Sequence, residues 1–194
     1  MSRKVRARRR RRAAWAGIAV LAGLLLALLI AGGAFDSAIK ELTLPLRHED
    51  VIRQQADEKG VDAALIAAVI YSESKFSDQT SSAGARGLMQ ITPEAAEYIE
   101  KQSGGTTFKL SDLSDPELNI RYGTFLLREL LDRYDGDEAA ALAAYNAGPG
   151  NADKWGGAEL TVAEIPFPET RAYVEEVLAK RDEYRHKYAK ELGY

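Results

Sequence analysis

Two patterns of apolar residues divide this chain. From Ala13 to Phe35 no charged residue occurs, and Ile18 to Ile30 is almost entirely Leu, Ala, Val, Ile and Gly. From His48 onward the apolar residues recur at helical spacing, broken by caps and turns. Glu49 to Lys59 predicts a helix with Val51, Ile52 and Ala56 on its apolar side and Gly60 as its stop. Asp62 is a good N-cap for the next helix. Thr92-Pro93 is a cap followed by proline in the first helical position, and opens a helix to about Lys101. Asp115-Pro116 repeats that signal and starts a long helix with Leu118, Tyr122, Phe125, Leu126 and Leu130 on one face. Asp135-Gly136-Asp137 turns into a helix from Glu138 to about Asn146, which Gly148-Pro149-Gly150 ends sharply. Residues 151–168 read as irregular. A last helix runs from about Glu169 to Lys190, with Tyr173, Val177, Tyr184 and Tyr188 in phase. No strong strand signal occurs; a short irregular ribbon at Phe108–Leu113 is the most the pattern allows. The fold class is all-α.

The helix after Asp62 carries the most informative position. Leu65, Ile66, Val69 and Ile70 precede Glu73 at spacings that put all five on one helical face. Residue 73 therefore continues a core-facing stripe, where an apolar side chain is expected. Desolvation of a carboxyl there raises its pKa, and a carboxylic acid still protonated near neutral pH suits general acid chemistry. The alternative is that Glu73 lies just past the helix end and turns into solvent; spacing alone leaves both open. A Ser/Gly/Ala-rich loop, Ser77–Arg86, follows and ends in Gly87-Leu88-Met89-Gln90.

Charge distribution changes the picture at the N-terminus. The net charge is -3, yet residues 1–12 hold Arg3, Lys4, Arg6 and Arg8 through Arg12 with no acid, so the remaining chain is strongly acidic. A basic cluster before an uncharged run long enough for a bilayer core, which takes roughly 20 residues, predicts a transmembrane anchor with its basic side in the cytoplasm. The divisions are then a basic arm at 1–12, a span at 13–35, a linker at 36–47 and a folded domain at 48–194. A cleaved secretory signal is the rival, with Gly32-Gly33-Ala34 as its small-residue site. The apolar run exceeds the usual ~7–15 residues of a signal core, which favours a retained anchor. Either way the domain lies outside the cytoplasm, and nucleic-acid binding by the arginines is set aside. The chain has no Cys, which excludes disulfides, thiolate metal sites and lipidation at a cysteine. His48 and His186, both expected on polar helical faces, are too far apart to form a zinc pair. No metal or cofactor is expected.

Three pieces make poor helix filler: Glu73 with its loop, Gly87-Leu88-Met89-Gln90, and Ala144-Tyr145-Asn146-Ala147-Gly148-Pro149-Gly150. An acid, an amide and a phenol with an amide suit a neutral ligand rich in hydroxyl and amide groups, such as an N-acetylated sugar. With Glu73-Ser74-x-Phe76 and Ile165-Pro166-Phe167-x-Glu169-Thr170-Arg171-x-Tyr173-Val174, these pieces in this order resemble the lytic transglycosylases of the soluble type, a lysozyme-like (SLT-type) family. The resemblance covers about residues 60–180.

The resemblance implies a lysozyme-like helical domain that cleaves the β-1,4 bond between N-acetylmuramic acid and N-acetylglucosamine in peptidoglycan and leaves a 1,6-anhydro sugar. It makes Glu73 the catalytic acid and base. It makes Ser82, Met89, Gln90, Tyr145, Asn146, Glu169 and Tyr173 substrate-binding residues. There are two departures: the loop after Glu73 is one residue shorter than in the best-known member, which puts the Ser82 match in question, and Thr92 stands where that member has Met. Independently of the resemblance, most glycosidases need two carboxyls, and no second acid is placed comparably to Glu73. Asp78 and Asp112 read as loop residues, Asp115 as a cap, and Glu94 as a first-turn acid favoured by the helix dipole. A goose-type lysozyme using water, and a non-catalytic wall-binding module, are the alternatives. The expected partners are glycan strands and, through the N-terminal span, a membrane; the domain is expected to be a monomer.

Overall fold

The computed structural model describes residues 15, 23, 39–103 and 109–194. Contacts divide the chain into two units, Met1–Leu44 and Pro45–Tyr194. In the first, residues 39–43 are helical. The predicted span at 13–35 lies, apart from Trp15 and Gly23, outside the described residues. Among the described residues no helix is long and apolar enough to cross a membrane.

The second unit is helical. Its elements are α1 (Glu49–Lys59), α2 (Ala63–Ser74), α3 (Pro93–Ser103), α4 (Pro116–Arg133), α5 (Glu138–Ala147), α6 (Pro149–Trp155), α7 (Pro168–Lys187) and α8 (Ala189–Leu192). Single 3-10 turns lie at Leu110–Ser114, Gly157–Glu159 and Val162–Glu164. The starts are set locally. Side-chain oxygens of Asp62, Thr92, Asp115 and Asp137 accept from the backbone N–H of Ala64, Ala95, Leu118 and Ala140 at 2.9, 3.1, 2.9 and 2.7 Å. Each satisfies one of the donors that a helix N-terminus leaves without a partner.

Packing is centred on α2, which lies along α7 and also against α1; α5 joins α4, α6 and α7. Every residue of α2 from Ala63 to Ile70 is buried. This corrects the one-face stripe: the helix is enclosed all round for two turns, and burial gives out only at Tyr71, Ser72 and Glu73, which are half-buried. On α7 the fully buried Tyr184 makes ring contacts with Tyr71, Phe76 and Tyr188, and its hydroxyl donates to the Pro45 carbonyl at 2.5 Å.

Four further expectations are corrected. Residues 151–155, at the start of the stretch read as irregular, are helical, because Pro149 starts α6 directly after Gly148 (φ 87°) ends α5; a Gly-Pro pair is a stop and a start at once. Where the pattern allows a ribbon, the described residues from Leu110 onward form a 3-10 turn whose Asp112 carboxylate accepts from Lys109 N–H at 3.0 Å. On α4 the buried set is Asn119, Ile120, Tyr122, Gly123, Thr124, Leu127, Leu130 and Leu131, while Leu118, Phe125 and Leu126 are only half-buried. Neighbours on two sides give α4 a wider buried arc than a single stripe. His48 is not on a helical face; it precedes α1 with φ 58°.

Candidate active site

The site is assembled where α2 ends. Glu73 is the penultimate residue of that helix, and Ser74 the last. The chain then passes through two consecutive non-glycine residues in the left-handed region, Lys75 (φ 52°) and Phe76 (φ 61°). Such conformations cost of order 1–3 kcal/mol each and persist where surrounding structure over-determines them. Here the buried Phe76 ring against Tyr184 supplies that constraint.

The loop after Phe76 folds back onto the helix end. Ser74 Oγ donates to the carbonyls of Ile70 and Leu88 at 3.1 and 2.7 Å, tying the turn at 87–90 to the residue beside the acid. Gln79 Nε2 donates to the Glu73 carbonyl at 3.0 Å. Gln90 sits at φ 48°, with its side-chain amide donating to the carbonyls of Gln79 and Gly87 at 3.1 and 2.9 Å. From α4, the fully buried Asn119 donates to the carbonyls of Arg86 and Leu113 at 2.9 and 3.0 Å and accepts from Met89 N–H at 2.7 Å. Gly87 has φ 75°, and a methyl group there would come within 2.2 Å of Asn119 Nδ2 and 2.4 Å of the Leu113 carbonyl.

Burial raises the pKa of Glu73 from 4.5 to about 7, with the Tyr173 hydroxyl pulling weakly the other way. Its place in the last turn of α2, at the negative end of the helix dipole, also disfavours a carboxylate. Two phenols flank it, and burial holds both far above the ordinary tyrosine range, so both keep their protons. Tyr145 has committed its proton, donating to the Met89 carbonyl at 2.8 Å. The Tyr173 hydroxyl is buried beside the acid, where it favours the charged form of the Glu73 carboxyl.

Tyr145 is also a wall of a cleft of about 600 Å³. Gln90, Ile91, Thr92 and Ala95 line it together with Leu126, Leu130 and Arg133 from α4 and with Asn146, Gly148 and Pro149. Glu73 is not itself among the lining residues; Tyr145 stands between the cleft and the acid. Of the lining residues, Tyr98 donates to Glu129 at 3.2 Å, and Arg133 pairs with Asp153 at 2.6 Å. A cleft lined by apolar side chains together with the amides of Gln90 and Asn146 suits a ligand with apolar faces and many hydroxyl groups.

Residues 50–166 match the family model described as the transglycosylase SLT domain. The chain belongs to that family. The soluble lytic murein transglycosylase of Salmonella typhimurium is 35% identical to this chain over 166 residues, which cover 81% of this chain and 25% of that one. The crystal structure of the 70 kDa soluble lytic transglycosylase of Escherichia coli superposes with a TM-score of 0.72 at 32% identity, over 84% of this chain and 28% of that one. The lytic transglycosylase Slt of Pseudomonas aeruginosa, solved as an inactive glutamate-to-glutamine mutant, also has a TM-score of 0.72, at 31% identity over 77% of this chain and 26% of that one. The chain thus spans about a quarter of the length of these relatives.

Within this SLT domain, the residues expected from sequence separate into groups. Gln90, Tyr145 and Asn146 line the cleft, and Asn146 Oδ1 accepts from Thr170 Oγ1 at 2.8 Å. Tyr173 faces the acid rather than the cleft. Ser82 is exposed in the turn closed by Gly84 N–H to the Ser81 carbonyl, and Glu169 is exposed in the first turn of α7; neither lines the cleft. Met89 is corrected: its side chain is fully buried against Gly123, so only its main chain meets the site. Sequence reasoning missed Asn119, Gln79 and the structural use of Ser74. An asparagine flanked by Leu118 and Ile120 looks like an ordinary polar helical position until its partners at Met89 and Arg86, 30 and 33 residues away in sequence, are known.

Proposed function

We propose that this SLT domain is a peptidoglycan lytic transglycosylase, cleaving the β-1,4 bond between N-acetylmuramic acid and N-acetylglucosamine. The observation that carries the proposal is Glu73: one half-buried carboxyl, neutral up to about pH 7, with no second carboxylate contributing to its shift. A hydrolase with two carboxyls needs an ionised partner close by; a reaction whose nucleophile belongs to the sugar does not. Glu73 donates its proton to the glycosidic oxygen as the C1–O bond breaks. The muramoyl C6 hydroxyl attacks C1 and returns its proton to the Glu73 carboxylate, closing the 1,6-anhydro ring with no net consumption of water or acid. Tyr173, whose buried hydroxyl faces the acid, steadies that carboxylate while it is charged. Gln90, Tyr145 and Asn146 are the proposed sugar contacts in the cleft; Ser82 and Glu169 are assigned to strand segments beyond it.

The inactive glutamate-to-glutamine mutant of the Pseudomonas aeruginosa relative shows that one glutamate is indispensable there. For residues 13–35 we propose a retained anchor, on the strength of the basic cluster and the uncharged run after it. Mass analysis of muropeptides released by the full-length protein tests the activity. Anhydro ends are expected; reducing ends would replace the reading with a hydrolase, and release of nothing would remove the enzyme altogether. Carbonate washing of membranes tests the anchor: the intact chain is expected to stay with the pellet, and recovery in the wash of a chain shortened by the N-terminal segment would overturn it.

A further inference from the structure

We propose that Asn119 is a positioning residue for the acid: from inside the core it holds the turn at 87–90 in the register that seats Tyr145 against Glu73. The inference rests on the transglycosylase reading for its kinetic readout, but not for its spectroscopic one.

Asn119 lies on α4, and its hydrogen bonds go to Arg86, Met89 and Leu113 rather than to Glu73. Its three hydrogen bonds can be made in only one orientation of the amide, because the Arg86 and Leu113 carbonyls need the NH2 group and the Met89 N–H needs the oxygen. The bonds at residues 86 and 89 bracket the turn. Between and at those anchors lie the two carbonyls that grip the site: Leu88 accepts from Ser74 Oγ and Met89 accepts from Tyr145 Oη. A single side chain therefore sets the height of both grips. The approach is close enough to exclude a Cβ at residue 87, so the turn has a glycine there for Asn119 as much as for its positive φ. The side chain is completely buried, so water is not at hand to replace a lost bond, and an unpaired buried polar group is costly.

Asn119→Asp tests the chain of contacts. It keeps the acceptor for Met89 N–H and removes both donors, setting a carboxylate against two carbonyl oxygens. If Asn119 positions Tyr145, the turn relaxes, water reaches Glu73, and its carboxyl titrates lower. Carbon-13 titration of Glu73 is expected to show a fall of about one unit or more from the wild-type value. At the pH optimum kcat is expected to fall about tenfold with KM changed less than about threefold. The loss in the Asn119→Asp, Tyr145→Phe double variant is expected to match the larger single loss rather than the product of the two. A lower melting temperature with Glu73 titration and kcat unchanged, or losses that multiply, would reduce Asn119 to a core residue and overturn the proposal. Should Asn119→Asp fail to fold, Asn119→Ser, neutral and smaller, is held to the same three readouts. A wild type that releases no anhydro product would sink the functional reading alone, and the carboxyl titration would still decide this one.

Discussion

The two ends of α2 each carry a carboxyl and treat it in opposite ways. At the N-terminus Asp62 caps the helix, accepts from Ala64 N–H, pairs with Arg185 and accepts from the Tyr194 hydroxyl. It thus stands at the positive end of the helix dipole with a cation and two donors beside it. At the C-terminus Glu73 makes no ion pair among the described residues, stands at the unfavourable end of the dipole and is desolvated. One helix thus has an acid that serves stability and another that works against it. The difference fits the proposed role of the second in chemistry, since packing alone is better served by a neutral residue.

The largest effect should come from removing the acid at the C-terminal end. Glu73→Gln is expected to lower kcat by about 10²- to 10⁴-fold while circular dichroism and glycan binding stay near wild type. Activity of the wild type is expected to fall about tenfold per pH unit above roughly 7, as the proton is lost; a profile flat to pH 9 would contradict the assignment of Glu73 as acid.

The same substitution should sharpen the contrast in stability. Below the ordinary value of 4.5 the carboxyl is protonated in both folded and unfolded chains. Between 4.5 and about 7 the unfolded chain ionises first, so stability drops as pH rises, and the loss is complete above 7. Glu73→Gln is therefore expected to stabilise the domain by about 2–3 kcal/mol at pH 8 and to leave it nearly unchanged at pH 4, as read by denaturant midpoints at the two pH values. The smallest change is at the other end. Asp62→Ala is expected to cost about 1–2 kcal/mol at pH 7 through the lost cap, with the pH dependence of activity where it was; a displaced profile would mean that the two ends are coupled.

Much of the scaffold was legible because its signals are local. Asp62, Thr92, Asp115 and Asp137 cap helices within three residues of themselves, and no distant contact decides whether they do so. Gly148-Pro149 was legible only in part, since the same two residues end α5 and begin α6. In the site, Glu73, Gln90, Tyr145 and Asn146 stood out as polar residues out of place, and the structure gathers the last three along one cleft. Met89 was misplaced because its neighbours in the sequence suggested a ligand contact, whereas Gly123 leaves a hollow on α4 that its side chain fills.

The amino-acid order by itself determined the helical architecture, the position of the breaks, the acid's place near a helix end and the family to which the domain belongs. Each of these follows from residues a few positions apart, or from motifs in a set order. Only the tertiary structure decided that Glu73 is desolvated with no ion pair among the described residues, that Tyr145 rather than Glu73 faces the cleft, and that Asn119 holds the turn at 87–90. Desolvation and the satisfaction of buried hydrogen bonds depend on which distant segments come together, and periodicity along one helix carries no record of that.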